Sequence, residues 1–246
     1  MSNSFNIKDA LFSDDEEKDL PNQLLDVVIY REAGRATVQR ARQHSATPTS
    51  SNIHHHQIPR SCLNTRIITA RRTFVDFAVA NQLSRMFTLT YATAPQEPVD
   101  AHIMFDKFMR RLRRRHPQLV WLQVTQRGTR NHRLHHHLLT TRDLDRQLTQ
   151  QTWAQGRIHI RDRTTTFWIR KQAGYLCKDF DLSPSERIGI RRYRRSRIGI
   201  SPQPEHHLVT AKELDRLLAS AAPDGYLKRF PPAGTPFHEW TAYWDP

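Results

Sequence analysis

Leu134-His135-His136-His137-Leu138-Leu139 is an apolar run of strand length interrupted by three imidazoles, and its reading decides the fold. In an extended strand successive side chains alternate between faces, so His135 and His137 share one face while His136 points to the other. Two imidazoles from one strand can hold a divalent ion and leave positions open for an oxygen of a phosphate.

The neighbouring sequence supplies a sheet for this strand. Leu119 to Thr125 and Arg133 to Thr140 read as a hairpin, with Gly128 and Asn131 as turn formers. Upstream, a helical face runs from Asn64 to Asn81, a strand follows at Met86 to Tyr91, and Pro95 and Pro98 close it. A helix from about Asp100 to Arg115 comes next, with Ile103, Met104, Phe108 and Leu112 expected inward. Downstream, a helix over Asp143 to Trp153, a strand over Arg157 to Arg161 and a helix over Thr165 to Phe180 complete the unit. Interleaved strands and helices with short connections predict an α+β fold.

The last helix carries Gly174-Tyr175-Leu176-Cys177-Lys178. Ile169, Ala173, Leu176 and Phe180 form its apolar stripe, leaving Tyr175 and Lys178 off that stripe and near one another. A phenol is a weak nucleophile at neutral pH, so an attacking tyrosine needs a polarised target and a cation nearby.

The ends read differently. Residues 1 to about 22 are acidic, with Asp14, Asp15, Glu16 and Glu17 in a row, and are expected to be disordered. Leu24 to Tyr30 is apolar enough for a helix or strand, and the Ser/Thr/Pro-rich span from Gln43 to Ser61 reads as a linker. The three histidines 54 to 56 inside it read as a solvated tract, not a metal site. The expected division is therefore a tail and linker over 1–61, a catalytic domain over 62–204, and a helix with a tail over 205–246. The helix is expected at Thr210 to Ala221.

Charge points to a polyanion. The chain has 38 Lys+Arg against 24 Asp+Glu, a formal +14, and arginine supplies most of the cations. Its planar fork suits phosphate oxygens. Arg187, Arg191, Arg192, Arg194, Arg195 and Arg197 form the densest run, with Tyr193 among them as an expected platform for an unpaired base. Two cysteines without a CxxC pair, no apolar run of membrane length and no secretory signal suggest a cytoplasmic protein. No phosphate-binding GxxxxGK[ST] loop occurs, so a helicase, like a polymerase, would come from the host.

Taken in order, Phe87-Thr88-Leu89-Thr90-Tyr91, His135-His136-His137 and Tyr175-Leu176-Cys177-Lys178 resemble the three motifs of the HUH endonucleases that initiate rolling-circle replication in plasmids and filamentous phages. The resemblance implies a ferredoxin-like or RRM-like fold, a central antiparallel sheet of about five strands, and Mg²⁺ or Mn²⁺ as the ion. It implies that Tyr175 attacks the scissile phosphate of single-stranded origin DNA, with Lys178 in support, giving a 5′-phosphotyrosine and a free 3′-hydroxyl. The tyrosine follows the histidines, the order of a replication initiator or a single-tyrosine transposase. A non-catalytic DNA-binding regulator is the reading from outside the enzyme class. Two positions depart from the pattern: His136 stands where the family has a bulky apolar residue, and Gln123 stands where it often has a glutamate as third ligand.

Overall fold

Alternating apolar and β-branched residues at 85–90, 121–127 and 134–140 give three strands that pair in the middle of a sheet. A computed structural model of the protein describes residues 24–41, 60–95, 97–128, 132–141, 144–181, 191–229 and 239–246. The expectations for residues 1–22, most of the linker, the histidines at 54 to 56 and Arg187 lie outside these residues. The chain divides into two compact units, residues 56–201 and, from both chain ends, residues 1–55 with 202–246.

The strands, in chain order, are β1 (Leu24–Tyr30), β2 (Arg35–Arg40), β3 (Arg85–Thr90), β4 (Trp121–Arg127), β5 (Leu134–Thr140), β6 (Ile158–Asp162), β7 (Arg194–Arg195), β8 (Glu205–Thr210), β9 (Leu227–Arg229) and β10 (Glu239–Tyr243). The α-helices are α1 (Arg60–Ala80), α2 (Pro98–Arg115), α3 (Arg146–Trp153), α4 (Thr166–Leu176) and α5 (Ala211–Ala221). The last turn expected of the tyrosine helix is a 3-10 helix over Cys177–Asp181.

The unit of residues 56–201 is built on the expected five-stranded antiparallel sheet, in the order β6-β3-β5-β4-β7. Its two faces bury different clusters. On one, Phe74, Phe77 and Ile67 of α1 and Ile169, Ala173 and Leu176 of α4 pack on Met86, Leu122, Val124 and Leu139. On the other, Phe105, Phe108 and Leu112 of α2 and Trp153 of α3 pack on Phe87, Leu89, Trp121 and Leu138. The strand pattern is therefore apolar on both sides, as a sheet covered by helices on both faces requires. Ile103, expected inward, is exposed, because the inward stripe of α2 runs through Ala101, Phe105, Phe108, Met109 and Leu112.

The unit formed by the chain ends is a second five-stranded sheet, in the order β8-β1-β2-β10-β9. Leu25, Val27 and Ile29 alternate inward and meet Leu214 and Leu218 of α5. The apolar stretch at Leu24 to Tyr30 is thus a central strand, and the C-terminal segment adds strands on both sides of α5. The expected boundaries at 61 and 204 part strands that pair: β1 and β2 share one sheet with β8 and β10. Among the described residues, no helix is long and apolar enough to cross a membrane.

Candidate active site

The site begins with the register of β5. His137 pairs with Thr88 of β3 and Val124 of β4, and His135 pairs with Thr90 and Gln126, so these side chains share the face covered by α1 and α4. On that face His135 Nε2 and His137 Nε2 lie 3.1 Å apart. The other ring nitrogens are occupied. His135 Nδ1 is 3.3 Å from the Arg133 carbonyl, which can only accept, so Nδ1 carries the proton and Nε2 carries a lone pair. His137 Nδ1 is 3.1 Å from Thr88 Oγ1, a hydroxyl able to accept the second Nδ1 proton. With Nδ1 of His137 protonated as well, both rings present Nε2 lone pairs 3.1 Å apart, and neighbouring groups hold each ring from behind.

Electrostatics keeps both rings neutral. Burial, the charge of His135 and the nearby Lys178 and Arg161 push His137 down to about 3. Burial also lowers His135, with Lys178 adding to the shift while the Arg133 carbonyl and Asp179 oppose it. A neutral imidazole is the form that ligates a metal. Metal–nitrogen bonds of ~2.1 Å at cis angles of ~90–109° set two nitrogens ~3.0–3.4 Å apart, so the observed spacing fits an ion.

Among the described residues, no third His, Cys, Asp or Glu joins the pair. The amide in register with His135 is Gln126. It is fully buried, its Nε2 donates to the Leu176 carbonyl at 3.2 Å, and its Oε1 has no hydrogen-bond partner among the described residues. An unpartnered buried acceptor costs roughly 1–3 kcal/mol, and a cation beside the histidines would remove that cost.

Gln123, the expected third ligand, is on the wrong face. It pairs with Leu138 and its side chain lies among the α2 and α3 packing, where Nε2 reaches Thr125 Oγ1 at 2.7 Å and His136 Nδ1 at 3.1 Å. Alternation along β4 puts Gln126, three residues on, with the histidines instead. The register of the hairpin sets this: Arg127 pairs with Leu134, which brings Gln126 opposite His135.

Helix α4 covers the histidine face with Ile169, Ala173 and Leu176 and leaves Tyr175 65% exposed. Tyr175 and His137 line one cavity of about 500 Å³, together with Thr88, His159, Arg161, Arg163, Trp168, Lys171 and Gln172. Lys178 Nζ is 5.3 Å from the centre of the Tyr175 ring, and its charge reaches both histidines. The structure therefore gathers His135, His137, Tyr175 and Lys178 in one region. Trp168, Gln172 and Gln126 belong to it as well and were not anticipated.

The arginine run divides. Arg191, Arg192, Arg194, Arg195 and Arg197 all line one groove of about 950 Å³ with Arg113, and of these Arg191, Arg195 and Arg197 are exposed. Arg192 Nε donates to the Phe180 carbonyl at 3.0 Å, Arg194 is ion-paired with Asp106, and Arg195 lies 4.7 Å over the Phe77 ring. Tyr193 is half-buried and lines the same groove, with one face of its ring stacked 5.8 Å from Phe180 and an edge-on contact to Phe74 at 5.3 Å. The apolar neighbours of Tyr193 are distant in sequence, so these ring contacts were not legible from the run itself.

No curated protein and no solved structure matches the chain significantly. A family model does: over residues 84–182, the segment carrying the histidine strand, Gln126, Tyr175 and Lys178, the chain matches the ORF2 family of replication-associated proteins.

Proposed function

We infer that this protein nicks and rejoins a single strand of DNA at a replication origin, with Tyr175 as nucleophile, and so initiates rolling-circle replication. The family match supports a role in replication. The observation that carries the finer reading is the pair of neutral imidazoles 3.1 Å apart in the region of an exposed tyrosine that shares a cavity with His137.

His135, His137 and the Oε1 of Gln126 would hold a divalent ion. Bound there, such an ion supplies positive charge to a non-bridging oxygen of the scissile phosphate. Two imidazoles suit Mn²⁺ better than Mg²⁺, which prefers oxygen ligands and keeps much of its water. Tyr175 Oη forms a bond to phosphorus as the bond from phosphorus to the 3′ oxygen breaks. The phenol gives up its proton, the 3′ oxygen leaves as a hydroxyl, and the 5′ side of the nick stays on the protein as a phosphotyrosine. Lys178 stabilises the phenolate and the charge gathering on the phosphate. Arg191, Arg197 and Arg113 would hold phosphates further along the strand. Strand separation and extension fall to a host helicase and polymerase.

The test is covalent capture on single-stranded oligonucleotides tiling the replicon's own origin. Wild-type protein with Mn²⁺ is expected to give a protein–DNA adduct that maps by mass spectrometry to Tyr175. Tyr175→Phe should abolish it and leave binding intact. His135→Ala or His137→Ala should lower Mn²⁺ affinity in calorimetry and cut adduct formation at least ~100-fold. An adduct persisting in Tyr175→Phe, or formation indifferent to chelator, overturns the reading.

A further inference from the structure

The cavity that holds Tyr175 and His137 has a second half, which the nicking chemistry leaves unused. Trp168, Lys171, Gln172 and Tyr175 follow one another along α4 at spacings of three, one and three and so share one side of the helix. All four line the cavity. The Trp168 indole is 40% exposed, unusual for so large an apolar side chain, and the exposed Phe167 meets it edge-on at 5.3 Å. Two cations flank it, Arg163 and Lys171, each 4.9 Å from the ring centre. An accessible indole set among cations is the arrangement that accepts an unpaired base while the cations meet its phosphates.

Gln172 is an independent pointer. It is only 9% exposed, yet neither Nε2 nor Oε1 has a hydrogen-bond partner among the described residues. A buried amide without partners is costly, and a ligand presenting a donor beside an acceptor would satisfy both atoms at once. Adenine presents that pair, an exocyclic amino group next to a ring nitrogen, and glutamine is its natural bidentate partner.

We propose that Trp168 and Gln172 form a nucleobase subsite beside the reacting centre, Trp168 stacking on one unpaired base and Gln172 reading its edge, with adenine preferred. Seven residues separate Trp168 from Tyr175, a rise of ~10 Å, which spans at most about three nucleotides at the ~3.4 Å stacked spacing. The base read would therefore lie within a few nucleotides of the phosphate that Tyr175 attacks, and it would help fix where the strand is cut. In that last respect the proposal rests on the nicking reading; the subsite itself does not.

The experiment uses the full chain carrying Tyr175→Phe, so that binding is read without cleavage, and oligothymidylates with one 2-aminopurine. Stacking on the indole should quench the probe. Adding Trp168→Ala should remove the quench and weaken binding roughly 5- to 100-fold, while Trp168→Phe should keep most of both. In competition, an oligothymidylate with a single adenine should outcompete one with a single guanine by a similar factor, and Gln172→Leu should erase that preference without weakening an abasic competitor. A quench that survives Trp168→Ala, or an adenine preference that survives Gln172→Leu, overturns the proposal. The two readings separate cleanly: a Tyr175 adduct without a Trp168-dependent quench sinks the subsite alone, and a Trp168-dependent quench in a protein that forms no adduct sustains the subsite and sinks only the nickase.

Discussion

His136 is fully buried, 4.8 Å from the Phe105 ring, at a position where an apolar residue would pack without cost. It is accommodated by a closed chain of hydrogen bonds. His136 Nδ1 accepts from Thr125 Oγ1 at 2.9 Å and from Gln123 Nε2 at 3.1 Å, His136 Nε2 donates to Tyr91 Oη at 2.6 Å, and Tyr91 donates onward to the Ala101 carbonyl at 3.1 Å. The two departures from the family pattern are thus partners, each explaining the other. His136→Leu alone should destabilise the fold by ~1–3 kcal/mol through the partners left behind, Gln123→Leu should cost less because Thr125 Oγ1 still serves His136 Nδ1 at 2.9 Å, and the double variant should differ from the sum by ~0.5–3 kcal/mol in denaturant titration. Additivity would show that the chain is not energetically connected. Burial also holds His136 and His137 down to about 3, far below the ordinary histidine value near 6.5. Each therefore takes up a proton on unfolding: the stability it contributes is fully present above pH ~6.5 and is lost as pH falls toward ~3, by up to ~1.4 kcal/mol per pH unit for each ring. Denaturation midpoints of metal-free protein between pH 8 and pH 4 check this, and His136→Leu should show a shallower slope.

At the scale of elements, the sequence was most legible where periodicity and length agreed. The histidine strand, its hairpin partner and the tyrosine helix stand where expected, because strand alternation and a four-three-four stripe are local properties. Which residue of β4 would serve as a third ligand was not legible in the same way. It depends on which residue of β4 faces His135, a register that a one-residue error inverts. The arginine run shows the same limit. β7 adds Arg194 and Arg195 to the edge of the sheet beside β4, so alternation sends Arg194 toward α2, where Asp106 takes its charge, and Arg195 toward α1, over Phe77. Replacing Arg191 or Arg197 by Ala should weaken single-strand binding and lower the salt dependence of log K by up to ~0.7 each, with no change in melting temperature. Arg194→Ala should instead lower the melting temperature, and equal effects of all three on DNA alone would contradict this division.

At the scale of the whole molecule, residues 56–201 contain every residue assigned to the nicking site and both helical layers of its sheet. A fragment of residues 56–201 is expected to fold cooperatively, to bind Mn²⁺ and to form the Tyr175 adduct at a rate within about tenfold of the full chain; a molten or inactive fragment would show that the other sheet is needed. That other sheet was the least legible part of the fold, since its strands come from opposite ends of the sequence and no local pattern announces their pairing. Its construction sets an order in time. β1 and β2 leave the ribosome early, but a lone hairpin is marginal in water, and its neighbours β8 and β10 begin about 165 residues or more after Arg40. At ~5–20 residues per second the nascent hairpin waits roughly ten to thirty seconds for them. The unit of residues 56–201 can mature during that interval, so a later stretch of the chain can finish before the strands that precede it do.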